Sequence, residues 1–384
     1  MKPVQPSVVI VSGLRAPAAL HACRALAAAG YTVVGTDALW WPTGRFSNSV
    51  QHYHRHASPV ADPVGFERDV RALLERYQPV AWLPTCEEIF HLARLPLPAL
   101  HAVLRAPGFD TLIGAHRKDT FAEQALALKQ GPDHTQRLES LAERDACRPE
   151  ARRLVFKPVF SRFASQVLVR PTMDQLDRLK PSFQAPWVAQ RYLGGEEICA
   201  YALAEKGQVL GCVLYRGKHQ AGQGASIYFE PTQDPRIDAF VKRYVERHQW
   251  TGQVAFDFRR DEHGIPLAIE CNPRATSGLH LWEPNAALGA ALMGQSATLS
   301  PVSATPMVGL AMLAMALPKA LKARHFKAWR RDWDQATDVV GAPGDRLPVL
   351  LQLLALAEVG TKALVSRKGL LETSTADIEW NGQL

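Results

Sequence analysis

Strand-like and helix-like segments alternate through the first hundred residues, and this rhythm limits the architectures open to the chain more than any other feature. Ser7 to Ser12 is a short β-branched run, and Ala16 to Ala29 is rich in alanine and leucine. Gly30 then stops that helix in the manner of a C-cap. Tyr31 to Thr36 reads as a second strand ending at Asp37, Asp62 to Tyr77 as a helix, Val80 to Leu83 as a strand and Glu87 to Ala93 as another helix. Alternation of this kind predicts a parallel sheet covered by helices.

Such a start invites a dinucleotide-binding reading, with Asp37 on a ribose. The turn after the first strand, Ser12-Gly13-Leu14-Arg15-Ala16-Pro17, is not G-x-G-x-x-G. Pro17 suits the first turn of a helix. Leu14 and Arg15, however, stand where close approach of a pyrophosphate needs glycine. A nicotinamide-dependent reductase is therefore the weaker enzyme reading.

From Ala106 to His116 the pattern turns loop-like, and a boundary is expected there. Lys118 to Ala297 reads as α+β, with strands expected at Leu154–Val159, Gln166–Arg170, Trp187–Leu193, Ile198–Ala204, Val209–Tyr215, Gly252–Arg259 and Pro266–Cys271. Pro301 to Leu384 is helical by composition. The 384 residues suit about two to three domains, divided as 1–115, 116–300 and 301–384. The middle unit splits into a small subdomain, about 116–188, and a large one, about 189–300.

The net charge of +7 comes from dispersed residues, with no run of five Lys/Arg, so an anionic small substrate is expected rather than nucleic acid. None of the six cysteines is spaced as C-x-x-C or as a zinc ligand, which reads as free thiols in a reducing cytoplasm. The first apolar run is too short for a signal peptide. The longest uncharged stretch, Asn285 to Pro318, is broken by Gln295, Ser296 and the polar run from Ser300 to Thr305, so no membrane span is expected. Lys319 to Trp333 is basic and aromatic, but its apolar and charged positions do not separate on a helical wheel. Packing against the body is expected there rather than peripheral membrane contact.

Chemistry concentrates between Val254 and Arg274. Gln253-Val-Ala-Phe-Asp257-Phe-Arg is a strand, Asp261-Glu-His-Gly264 a polar turn, and Ile265-Pro-Leu-Ala-Ile-Glu270-Cys-Asn272-Pro-Arg274 the return strand. Residues facing each other in a hairpin lie about 5 Å apart, and residues two apart share a face. Asp257, Glu270 and Asn272 thus form an oxygen-donor face alternating with Phe256, Phe258, Ile269 and Cys271. Carboxylates combined with nucleotide phosphates are the usual way of holding magnesium. Arg274 adds a guanidinium able to grip a carboxylate or acyl phosphate at two points.

These residues resemble the metal-binding end of the ATP-grasp superfamily, written D…E-x-N-P-R, and two further segments follow that family in order. Ala189-Gln190-Arg191-Tyr192-Leu193-Gly194-Gly195-Glu196-Glu197 resembles its hinge, and Leu154-Val-Phe-Lys157-Pro158 its phosphate-lysine strand. Lys118 resembles the earlier phosphate lysine. The resemblance, which spans Lys118 to Arg274, implies a Rossmann-like N-terminal domain, a two-subdomain ATP-grasp fold and a helical C-terminal segment. It implies ATP bound by Lys118, Lys157, Gln190, Glu197 and the backbone at Arg191 and Leu193. It implies Mg²⁺, with Mn²⁺ as an alternative, on Asp257, Glu270 and Asn272. The activity implied is that of a carboxylate–amine ligase forming an acyl phosphate, with Arg274 and Lys218 as catalytic cations. Its partners are small-molecule acids and amines, amino acids or small peptides being the family's central tendency.

Two departures stand out. The segment Val159-Phe-Ser-Arg-Phe-Ala-Ser165 has no glycine where the family's phosphate loop is glycine-rich, and Arg162 is its one cation. The hinge carries Gln190 where an acid is commoner. The segment Tyr215 to Ser226, with Lys218, Gly222 and Gly224, reads either as a loop over the γ-phosphate or as a surface turn. Glu87 and Glu88, opening a helix at the end of a predicted strand, read either as partners for a substrate amine or as acids complementing the helix dipole. Arg15, similarly placed, reads either as a partner for a substrate carboxylate or as structural. The alternating histidines of Gln51-His-Tyr-His-Arg-His56 lack a carboxylate or cysteine partner and read as a solvated strand rather than a metal site. A non-catalytic nucleotide-binding or membrane-associated protein is the alternative to the ligase.

Overall fold

The structure, a computed structural model, describes residues 7–160, 166–221, 225–367 and 369–382. Its first layer runs β1 (Val8–Ser12), α1 (Pro17–Ala28), β2 (Thr32–Asp37), β3 (His52–Arg55), α2 (Pro63–Tyr77), β4 (Ala81–Leu83) and α3 (Glu88–Arg94). The four strands form a parallel sheet in the order β3-β2-β1-β4. β1 is central and is covered on both faces, as a continuous apolar run requires. Val9 and Val11 meet Ala19, Ala22 and Leu26 of α1, while Ile10 meets Phe66 and Val70 of α2. Asp62 begins α2 by accepting from the Gly65 amide at 2.9 Å.

The expected loop before Lys118 contains helix α4 (Phe109–His116), followed at once by α5 (Lys118–Ala127). Pro107, Gly108 and Gly114 hide the helical pattern from a local reading. Burial of Leu112 and Ala115 in the core shared with Phe90 and Phe121 settles the conformation, as tertiary packing commonly overrides propensity.

Two antiparallel sheets follow. The smaller contains β5 (Thr135–Leu138), β6 (Leu154–Pro158), β7 (Leu168–Val169) and β8 (Trp187–Arg191), in the order β5-β8-β6-β7. The larger contains β9 (Glu197–Glu205), β10 (Gln208–Gly217), β11 (Phe229–Thr232), β12 (Gly252–Arg260) and β13 (Pro266–Asn272), in the order β11-β10-β9-β12-β13. Helix α6 (Pro235–Arg247) packs Phe240 and Tyr244 edge-on against Phe256 of β12, which anchors the strand that carries Asp257.

Helix α7 (Ala286–Leu292) lies so close to α1 that a Cβ at Gly289 would come within 2.4 Å of the Ala25 carbonyl. Beyond it come α8 (Leu317–Lys322), α9 (Phe326–Asp334) and α10 (Leu347–Ser366). On α9, Trp329 and Asp332 are buried against the body. Helix α10 is long and apolar enough, by length and composition alone, to cross a membrane. A search for uncharged runs passes over it because Glu358 and Lys362 interrupt it. The chain then returns to the first sheet, where Trp380 packs among Phe90, His91 and Phe109.

Candidate active site

The β12–β13 hairpin sets Asp257 directly opposite Glu270, and Ala255 opposite Asn272. Asn272 donates through Nδ2 to Asp257 Oδ2 at 3.1 Å. Phe256, Phe258 and Cys271 are buried on the other face. Asp257, Glu270 and Asn272 remain only partly covered.

Two buried lysines converge on this face from other elements. Lys118, at the start of α5, brings Nζ to 3.7 Å from Glu270 Oε1. Lys157, on β6, donates to the Ile269 carbonyl at 3.0 Å. Burial pushes the Lys157 ammonium down to about 8, opposed by Glu270 and reinforced by Lys118. Burial and the adjacent Glu270 carboxylate hold Asp257 above the usual carboxylate range. For Glu270 burial acts in the same upward direction, but Lys118 and Lys157 outweigh it and keep the group ionised. Arg274 completes the cluster, with Nη2 donating to Asn272 Oδ1 at 3.3 Å and Nε lying 4.0 Å from Glu87 Oε1. Three cations thus stand among three carboxylates, Asp257, Glu270 and Glu87. A divalent ion would relieve the repulsion between Asp257 and Glu270, and a polyanion could then be held by the cations.

The hinge residues lie on β8 and at the start of β9. Gln190 is buried and donates to Thr135 Oγ1 at 3.0 Å. The Arg191 amide donates to the His134 carbonyl, so that N–H belongs to the chain's own pairing rather than to a ligand. The Arg191 side chain pairs with Asp133 and Glu262 in solvent. Leu193 is buried, and Glu197 accepts from Arg259 Nη2 at 2.7 Å.

The remaining candidates keep other company. Lys218 Nζ pairs with Asp332 at 2.8 Å and Glu230 at 3.2 Å, beside a cavity of about 450 Å³ also lined by His219, Lys319, His325 and Trp329. Arg15 is enclosed by Asp37, Asp377 and the Ser374 carbonyl. Its side chain is already satisfied and acts here as a structural tie to the C-terminal segment. The same pairing engages Asp37, and Leu14 is buried against Gly35 and Gly44, filling the turn that a dinucleotide would need. Glu88 Oε1 accepts from Ser12 Oγ and from the Thr85 and Cys86 amides, the helix-start arrangement. Glu87 accepts from the Trp380 amide at 3.0 Å.

Arg162 and the glycine-poor stretch 161–165 lie outside the described residues, as do Gly222 and Gly224. In the histidine run, His52 and His54 lie on edge strand β3, His54 meeting Tyr77 Oη at 2.6 Å, whereas His56 is buried.

A cavity of about 180 Å³ that the sequence did not reveal adjoins Arg274. It is lined by Ala16 to Ala18 at the start of α1, by Thr85 and Cys86, and by Ala275, Thr276, Ser277, His280 and Val308. Burial holds His280 well below its ordinary pKa, and its Nδ1 has no partner among the described residues. The polar pair Thr276-Ser277, two residues after Arg274, was the one available signal.

No family model and no curated protein matches the chain. Among solved structures it is similar to N5-carboxyaminoimidazole synthetase from Staphylococcus aureus, at 13% identity and a TM-score of 0.61, over 77% of this chain and 80% of that one. The same enzyme complexed with ADP matches with the same TM-score. An L-amino acid ligase from Bacillus licheniformis is similar at 16% identity and a TM-score of 0.58, over 78% of this chain and 79% of that one. The biotin carboxylase domain of Hydrogenobacter thermophilus 2-oxoglutarate carboxylase, in complex with MgADP, ADP and bicarbonate, gives 13% identity and a TM-score of 0.60, over 77% and 72%. At these identities the likeness is one of fold.

Proposed function

We propose that this chain, which has the ATP-grasp fold, is an ATP- and Mg²⁺-dependent ligase that activates a carboxylate as an acyl phosphate and joins it to an amine. The observation that carries this reading is the convergence of Lys118, Lys157 and Arg274 on the Asp257–Glu270–Asn272 face.

Among the described residues no group of three His, Cys, Asp or Glu side chains is arranged to hold a metal alone. Two carboxylates and an amide oxygen are instead the donor set of an ion shared with phosphates. Asp257, Glu270 and Asn272 would hold Mg²⁺, with Mn²⁺ as a substitute. The ion would supply charge neutralisation on the transferred phosphoryl group.

The protein's own part is positioning and electrostatics. Gln190 and the Leu193 backbone face the adenine, Glu197 accepts from the ribose, and Lys118 and Lys157 hold the phosphates. A substrate carboxylate oxygen attacks the γ-phosphorus, and the bond from phosphorus to the ADP oxygen breaks. Arg274 grips the resulting acyl phosphate. The amine nitrogen then forms the amide bond as phosphate leaves, and the amine proton passes to solvent. The small cavity beside Arg274, with Thr85, Thr276, Ser277 and His280 on its walls, suits a compact polar acid of amino-acid size. The L-amino acid ligase among the similar structures supports the same substrate class.

Incubation with ATP, Mg²⁺ and pools of carboxylates and amines should release ADP and phosphate, with an amide detected by mass spectrometry. Release of AMP and pyrophosphate would replace this reading with adenylate chemistry. ATP binding with no turnover on any pool would replace it with a nucleotide-binding role.

A further inference from the structure

Helix α10 carries apolar residues on both its sides. Its buried positions are Pro348, Val359 and Ala363. Glu358 accepts from the Trp40 and Trp41 amides at 3.0 and 2.9 Å. Lys362 pairs with Glu358 at 3.2 Å, and Ala363 and Val359 are buried beside them. Just before the helix, Asp345 is held by Arg24 and Ser47. The outward positions carry Leu347, Leu350, Leu353, Leu354, Leu364 and Val365, all exposed, the last two at 82%. Twenty residues at 1.5 Å rise make this strip about 30 Å long. Monomeric soluble proteins rarely leave so continuous an apolar surface in water.

We propose that this strip docks on the surface of a bilayer containing anionic lipid, with α10 lying in the plane of the interface. Three observations select this occupant. The strip is framed by cations: Arg346 and Arg367 are exposed at its two ends, and it carries no acidic residue. Beside it stand the exposed indoles of Trp40 and Trp41, with the Arg55 guanidinium 4.4 Å from one ring and that of Arg45 4.7 Å from the other. Apolar side chains flanked by tryptophan and arginine match the order of acyl chain, headgroup boundary and phosphate. Pairing with a second copy fits less well, because arginines at both ends of the strip would face arginines in either orientation, with no acid opposite. The ties at Asp345, Glu358 and Lys362 keep the helix against the body, which favours in-plane docking over a span.

Co-sedimentation with vesicles of phosphatidylcholine alone and of an equimolar mixture with phosphatidylglycerol tests the proposal. The full chain should pellet with the mixed vesicles, far less with phosphatidylcholine, and be partly released by added salt. Replacing Leu350, Leu354 and Leu364 together by Gln should weaken partitioning by roughly tenfold for each leucine removed from lipid. Circular dichroism and melting should stay unchanged, because these side chains are exposed. Arg346→Gln with Arg367→Asn should remove most of the preference for the mixed vesicles. The proposal fails if the wild type stays in solution with both vesicle types, if it binds both equally, or if the triple Gln variant binds like wild type. It fails equally if light scattering shows a dimer that the triple variant dissolves, since the strip would then cover a second copy.

Discussion

Two clusters of charge sit near the ends of the strands in this molecule, both of basic and acidic side chains but differing in how fully they are satisfied. Around Arg15, one guanidinium meets Asp37, Asp377 and the Ser374 carbonyl, and its donors are spent within the chain. Around Asp257, three cations stand among Asp257, Glu270 and Glu87, the first two repelling each other and only partly covered. The first cluster is complete without a ligand. The second is the one proposed to take a polyanion and a divalent ion, so charge alone does not mark a site. Charged groups left partly open to a ligand do.

The sharpest way to break this contrast is to neutralise one member of the open cluster. Glu270→Gln should lower ADP release by about 10³-fold or more, the scale of losing a group that stabilises charge in phosphoryl transfer. Asp257→Asn should do the same while raising the melting temperature of the ligand-free protein at neutral pH. The sign follows from its raised pKa. Ionisation of Asp257 disfavours the ligand-free fold, so the stability present at low pH is lost as pH rises through the folded-state pKa. A coupled assay for ADP and a thermal melt in the absence of nucleotide check both halves. An Asp257→Asn variant with full turnover would remove the open cluster from the mechanism.

The closed cluster should behave in the opposite manner. Asp37→Ala leaves Arg15 buried with half its partners gone, and breaking a buried pair in this way costs about 3 kcal/mol or more. Chemical denaturation should show that loss, while ATP affinity measured by calorimetry should stay near the wild-type value. A large loss of ATP affinity in a folded Asp37 variant would mean that the two clusters are coupled.

Much of the open cluster was legible in the sequence because a hairpin is a local object. Alternation placed Asp257, Glu270 and Asn272 on one face, although it is a bulge between Asp257 and Phe258, not legible in the sequence, that sets Asp257 opposite Glu270. Lys118 and Lys157 arrive from distant elements, and only the resemblance to a family connected them to the hairpin. The closed cluster was not legible, because Arg15 and Asp377 are separated by 362 positions and nothing local in either segment announces the pairing. The apolar face of α10 was missed for a different physical reason. Glu358 and Lys362 broke the uncharged run, yet Glu358 turns inward to the Trp40 and Trp41 amides and Lys362 pairs with it, so a count along the chain could not separate the two sides. Helix α4 was read as a loop because the burial of Leu112 and Ala115 that stabilises it is supplied by the rest of the core.

Changing pH sharpens the same contrast with no substitution. Lys157 is depressed to about 8 by burial, so nucleotide affinity should fall as pH rises through that value and the phosphates lose a cation. The same group makes the ligand-free fold more stable over the same window. Its contribution is complete above the ordinary lysine value and is lost as pH falls through about 8. Arg15, raised further by Asp37 and Asp377 despite its burial, adds no change there. Calorimetric ATP titrations across this range should therefore show a loss in the wild type, and Lys157→Met should bind weakly at every pH with the slope removed. A slope that survives in Lys157→Met would assign the titration to another group.

The smallest expected effect separates position in the sequence from membership in the site. Arg191 lies in the hinge segment, but its amide is paired with His134 and its side chain reaches Asp133 and Glu262 in solvent. Exposed pairs of this kind contribute about 0–1 kcal/mol, so Arg191→Ala should shift the denaturation midpoint by no more than that. Its backbone pairing survives the substitution, so the KM for ATP should change little. Gln190→Ala, one residue earlier and buried, should raise that KM more, because its side chain faces the adenine in the proposed mode. A larger KM effect from Arg191 than from Gln190 would show that the nucleotide lies on the exposed side by Asp133 and Glu262 rather than over the cluster of Lys118, Lys157 and Glu270.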